Sequence, residues 1–115
     1  MTVSLWAASS MTPTVGTETF VPSVSAIGVY TFHVDSGSVA SGDVFELRTY
    51  QMILTGCTTF VAYMDSFQGV QPTDDRIKVS VPISNDLAEA SAVRFSIKQT
   101  IGTARPFPWK VLRHS

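Results

Sequence analysis

Only one cysteine, Cys57, stands in the 115 residues, so neither an intrachain disulfide nor a multi-cysteine metal site is available to the chain. Its "LTGCTTF" setting reads as a turn with an inert thiol, because a nucleophile needs a histidine and an orienting group at hand. Charge is also scarce, at 15% of residues against the roughly 25% usual for globular domains. Exposed positions must then be filled by Ser, Thr and small apolar residues, a surface suited to being covered by neighbours. No run of about eighteen apolar residues occurs, so no helical membrane span is expected. The start, "MTVSLWAASS", has no basic segment ahead of an apolar one, and synthesis in the cytoplasm is the expectation.

Helical periodicity and internal repeats are missing too. So are the signatures of catalysis. "GTARP" lacks the Lys-Ser/Thr of a phosphate loop. "TDD" at Thr73–Asp75 reads as a solvated turn, although two adjacent carboxylates are what a hard cation needs. His33 and Asp35, two apart on a strand, would share a face, yet no third catalytic member can be identified. No enzymatic activity, cofactor or metal is therefore expected.

What the sequence does contain is strand alternation. In "RIKVSVPIS", Ile77, Val79, Val81 and Ile83 alternate with Arg76, Lys78, Ser80 and Pro82, which predicts aliphatics facing a core and polar residues facing out. Pro82 lacks an N–H and marks a free edge. "SAVRFSIKQT" repeats the scheme, with Val93, Phe95 and Ile97 inward and Arg94, Ser96 and Lys98 outward. "GVYTFHVDSG" sets Tyr30, Phe32 and Val34 against Val29, Thr31 and His33; "GDVFELRTYQMIL" sets Phe45, Leu47 and Thr49 against Glu46, Arg48 and Tyr50. "TTFVAYMDSF" and "PWKVLRH" make two more strands, and "VSLWAA" and "ETFVPSV" two weaker ones. A short helical turn is expected in "SNDLAEA". In the terminal "RPFPWKVL", Pro106 and Pro108 hold the chain extended, so Phe107 and Trp109 point to one side as a wall of the core while Lys110 faces out. Short strands at this spacing predict an all-β fold, an antiparallel β-sandwich or jelly-roll-like barrel of about 6–8 strands. Its expected core includes Phe45, Leu47, Ile77, Val79, Val81, Phe95, Ile97 and Trp109. Residues 23–115 make the sandwich domain; residues 1–22 form either an N-terminal arm or its first strand, with Val3, Leu5 and Trp6 as apolar anchors.

Charge is distributed unevenly. Residues 1–75 hold one base against seven acids, and residues 76–115 seven bases against two acids. The halves can attract one another within the fold or between copies. Arg76, Lys78, Arg94, Lys98 and Lys110 are expected to line up as an outward basic stripe. A nucleic-acid surface would interleave such a stripe with exposed aromatics and raise the pI, which is about 6.0, so nucleic acid is not the expected partner.

Over roughly residues 27–112, "ELR-Y", "AY", "KVSVPIS" and "F-IKQT-GT-R-FPW" resemble small proteins encoded among the virion structural genes of tailed double-stranded DNA bacteriophages. The resemblance implies a virion component, a head decoration (cement) protein on the capsid exterior. Its partners would be the major capsid protein and further copies of itself, often as a trimer. Val3, Leu5, Trp6, Arg76, Lys78, Arg94, Lys98 and Lys110 are the candidate assembly contacts. The alternative is a tail, neck or fibre-associated virion protein whose sandwich binds carbohydrate, with Tyr30, Tyr50, Tyr63 or Trp6 as stacking platforms beside Asp65, Glu46 or Arg48.

Overall fold

A computed structural model describes residues 2–115. Among these, nine strands form two antiparallel sheets packed face to face. The five-stranded sheet runs β1 (Val3–Met11), β9 (Phe107–His114), β3 (Gly28–Asp35) and then β6 (Ile77–Val79), with β7 (Ile83–Asn85) following β6 along the same edge of β3. The four-stranded sheet runs β2 (Thr19–Phe20), β8 (Val93–Ile101), β4 (Val44–Gln51), β5 (Phe60–Gln68). This is the expected antiparallel sandwich.

The extra strand has a local cause. "RIKVSVPIS" is not continuous: it leaves β3 at Val81–Pro82, where proline cannot donate to the ladder, and rejoins it as β7. No helix forms in "SNDLAEA"; among the described residues the one short 3-10 turn is Thr73–Asp75. Of residues 1–22, which sequence leaves open between arm and first strand, Thr19–Phe20 lies in the four-stranded sheet as β2, and Val3–Met11 lies in the five-stranded sheet as β1, paired with β9 from Val3 opposite His114 to Met11 opposite Phe107. Thr2 and Ser115 exchange both backbone hydrogen bonds, at 2.6 and 2.9 Å, just beyond its end.

The core sits between the sheets. Tyr30, Phe32, Val34, Phe107, Trp109 and Val111 descend from one, Phe45, Val93, Phe95 and Ile97 from the other. Phe32 stacks on Phe95 with ring centroids 5.1 Å apart, and Phe45 meets Phe107 at 5.2 Å. Such pairs add about 0.5–1.5 kcal/mol beyond their buried area. The terminal "PFPWKVL" is thus a core wall, as its alternation predicts.

One face assignment is reversed. Ile77, Val79 and Val81, expected in the core, are more than half exposed, whereas Lys78 is buried between the sheets. The Lys78 ammonium lies over the Phe67 ring at 4.5 Å and 2.9 Å from Asp75 Oδ2. That ion pair is short but poorly angled for a hydrogen bond, so Coulomb attraction and the aromatic face hold the charge. Ser80 also turns to the backbone, its hydroxyl accepting from the Phe32 N–H at 2.8 Å. Of the other expected core residues, Leu47 is half-buried and packs against the core, and Phe45, Phe95, Ile97 and Trp109 lie within it.

Three ion pairs join the acidic part of the chain to the basic part. Asp35 takes Arg76 in a fork of 2.7 and 2.9 Å, Asp43 takes Arg105 at 2.8 Å, and Lys78 meets Asp75. Asp43 is the most buried of these acids. It accepts from the Ala40 N–H at 2.9 Å, the Thr103 N–H at 3.1 Å and Arg105, which ties the β3–β4 loop to the β8–β9 loop. Gly102, at φ 105°, runs so close that a Cβ there would overlap the Asp43 carboxylate.

Candidate functional site

Side chains directly opposite in an antiparallel ladder point to the same side. The registers therefore define the outer face of the five-stranded sheet. Val3, Leu5, Ala8 and Ser10 of β1 stand beside His114, Leu112, Lys110 and Pro108 of β9. Thr31, His33 and Asp35 of β3 follow, then Val79 and Ile77 of β6. Both margins of this face are apolar and open: Val3, Leu5, Ile77 and Val79 are each 53–62% exposed.

A polar spine crosses between the two margins. The Thr31 hydroxyl lies 2.8 Å from His33 Nε2 and 3.1 Å from His114 Nε2, and is itself buried beneath the two imidazoles. Burial, then the nearby Lys110 and His114, hold the His33 imidazole below its usual pKa, so it is neutral at pH 7. Asp35, expected as a partner of His33, instead binds Arg76 and the Gly37 N–H. The fork with Arg76 comes first in keeping its carboxyl below the ordinary range. A Cβ on Gly37 would press on the guanidinium, so glycine there leaves room for the fork. Beside the spine runs a shallow groove of about 360 Å³, walled by Ala8, Ile77 and Pro108 and edged by His33, Asp35 and Lys110.

The outer face of the four-stranded sheet is more polar. Glu18 Oε2 accepts from Tyr50 at 2.6 Å and from Ser96 at 2.5 Å, with Arg48 at 3.9 Å. Burial opposes ionisation of Glu18, yet these hydrogen bonds and the Arg48 charge together hold its pKa below the usual value. Arg94 lies on the Phe20 ring at 3.7 Å, and Phe20 packs against Tyr50. At the far edge of this sheet β5 leaves Phe60, Val61, Tyr63 and Met64 exposed. Tyr63 stands over a second groove, of about 320 Å³, between β5 and the β6–β7 edge, and its hydroxyl reaches Asp65 at 3.4 Å.

The expected basic stripe divides. Lys110 is on the outer face of one sheet, and Arg94 and Lys98 are on that of the other, where Lys98 pairs with Glu46 in register. Lys78 is buried between them and Arg76 is held by Asp35. Val3 and Leu5 are exposed together, but Trp6, at a bulge in β1, turns inward and meets Tyr30 edge-on at 5.6 Å. Of the expected stacking platforms, Tyr30 is fully buried with its hydroxyl on the Ala26 carbonyl, and Tyr63 is the most open. The Thr31–His114 contact joins residues 83 apart, and the Glu18–Ser96 bond residues 78 apart; no local pattern carries either. Among the described residues, no group of three or more His, Cys, Asp or Glu side chains is placed to hold a metal ion. Compared with known family models, characterised proteins and solved structures, the chain has no match.

Proposed function

We propose that this protein is a structural virion component of a tailed bacteriophage, a head decoration protein that binds the outside of the capsid and ties neighbouring shell subunits together. The observation that carries the reading is the outer face of the five-stranded sheet. It presents four aliphatic side chains, more than half exposed, along the two margins of a hydrogen-bonded platform. Open apolar patches of this kind mark surfaces that meet other proteins. Burying one Val, Leu or Ile fully contributes about 1.5–3 kcal/mol, so partial burial of four side chains supplies several kcal/mol of association. The phage assignment rests on the strand and turn patterns quoted above.

The test is made on particles of the phage that encodes the chain. Quantitative mass spectrometry of purified virions should find the protein in fixed proportion to the major capsid protein. Cryo-electron microscopy should place it as protruding density on the shell exterior. Absence from purified virions overturns the reading, and location in the tail alone removes the decoration role.

A second reading, a carbohydrate-binding sandwich at the tail or neck, is favoured by Tyr63 and Asp65 standing together at the open inter-sheet groove. Binding of the isolated protein to a defined sugar on a glycan array, lost in Tyr63→Ala, would select it.

A further inference from the structure

The two sheets have four outer edges, and three of them are guarded. β2 is two residues long. β6 and β7 are three residues each, and Val81–Pro82 interrupts them. β5 is long, but Asp65 sits on it and its Oδ1 takes up the Ser66 N–H at 2.9 Å. Shortness, proline and charge are the usual devices that stop sheet edges from pairing.

β1 has only one such guard. It is nine residues long, with neither charge nor proline, and the first charged residue of the chain is Glu18. The bulge at Trp6 interrupts it but leaves Ala7–Met11 in regular register with β9. Which backbone groups are open follows from the ladder. Thr2 and Ser115 exchange both hydrogen bonds, and β9 runs without a break in its pairing with β3. Alternation along β9 then directs Val111, Trp109 and Phe107 to β1, and their partners Ala7, Ser9 and Met11 bond back. The N–H and C=O groups of Ala8 and Ser10 point away, into solvent.

We infer that the protein self-associates through this edge, two copies of β1 pairing antiparallel about a two-fold axis over Ala7–Met11. The occupant is a second copy for a specific reason. Two-fold pairing sets a strand against its own sequence, so any charge on it would meet a like charge nearby; β1 has none. "AASS" also presents small side chains that let two backbones approach, with no pocket to select a foreign side chain. Ala8 and Ser10 of each copy would exchange the backbone hydrogen bonds that are now open. The edge is already held by β9, so little further ordering is needed on pairing. This is a two-fold contact, not the trimer that the resemblance implies, and it does not depend on the virion reading.

Analytical ultracentrifugation of the isolated full chain tests it. The expected result is a concentration-dependent species of twice the 12.5 kDa chain mass. Ala8→Pro removes an outward N–H at an edge position where proline is tolerated, and Ser10→Lys sets two like charges diagonally across the seam, about 7–8 Å apart at the Cβ level. Each should weaken the dimer at least about tenfold while the thermal unfolding curve stays near that of the parent. Ser66→Lys, on the β5 edge, should leave it intact. A chain that stays monomeric into the tens-of-micromolar range overturns the inference. So does a trimer, or a dimer that Ser10→Lys leaves unchanged or that Ser66→Lys abolishes.

Discussion

Lys78 and Val79 show what a period of two conveys and what it does not. Alternation in "RIKVSVPIS" marks a strand, and a strand is there. It does not say which of the two faces is buried, and the aliphatic one is the natural choice. Here the choice fails because β6 is a three-residue edge strand whose inner side meets Phe67 and Asp75, partners that can hold a lysine. Neither partner is readable from the segment itself. Val79→Asp should therefore leave the fold intact and change stability by no more than about 0.5 kcal/mol, as for surface substitutions generally. Phe95→Ala, on a strand whose phase was legible, should cost about 3–5 kcal/mol. Chemical denaturation of both variants checks the contrast. Asp43 gives a second residue-scale expectation. Hydrogen bonds, first from the Ala40 N–H, lower its pKa against the opposing effect of burial. A carboxyl depressed in the folded state adds stability above its unfolded pKa of about 3.9, and that contribution disappears as pH falls through the lower folded value. Acid unfolding of the wild type should steepen below about pH 4. Asp43→Asn should be less stable at pH 7, by about 1–3 kcal/mol for the charged hydrogen bonds it weakens, and should show a flatter decline in acid.

At the scale of elements, eight strand segments are legible in the sequence, and the ninth comes from Pro82 cutting one of them. Turn residues and alternation suffice because most strands here are half-buried, with one face in the core. β5 is the exception: it is exposed along most of its length, and its apolar residues on both sides give no phase at all. Pairing order is not legible. That β1 lies beside β9 joins the two ends of the chain, and no local rule predicts such a contact. The consequence can be tested by truncation. β1 covers one side of β9, and Trp6, Ala7 and Met11 pack against the core. Removing residues 1–11 would uncover the open backbone groups of β9 and expose Tyr30, so the shortened chain should lose several kcal/mol and much of its cooperativity. An unchanged melting temperature would mean that β1 adds little to the domain and serves chiefly other contacts.

For the molecule as a whole, low charge foreshadows a surface with large apolar areas, but their location depends on pairing. The two margins of the outer face come from residues 3–5 and 77–79, brought to one plane by β9 and β3 between them. The expected basic stripe fails for the same reason, since Lys110 on β9 and Arg94 and Lys98 on β8 lie on two different sheets while Lys78 turns inward. This division predicts which face meets a capsid. If the five-stranded sheet docks, Leu5→Asp and Val79→Asp should each lower occupancy on shells about tenfold or more, because a carboxylate would be carried into an apolar contact. Binding should also change little with salt, as apolar contacts lack the screening that weakens exposed charge pairs over about 10 Å at 0.1 M. Reversing Arg94 and Lys98 to Glu alters the opposite face, and beyond some loss of stability from Phe20 and Glu46 it should leave occupancy in place. Cosedimentation of each folded variant with shells lacking the protein reads all three. Loss of binding in the Arg94, Lys98 double variant, strongest at low salt, would move the contact to the four-stranded sheet.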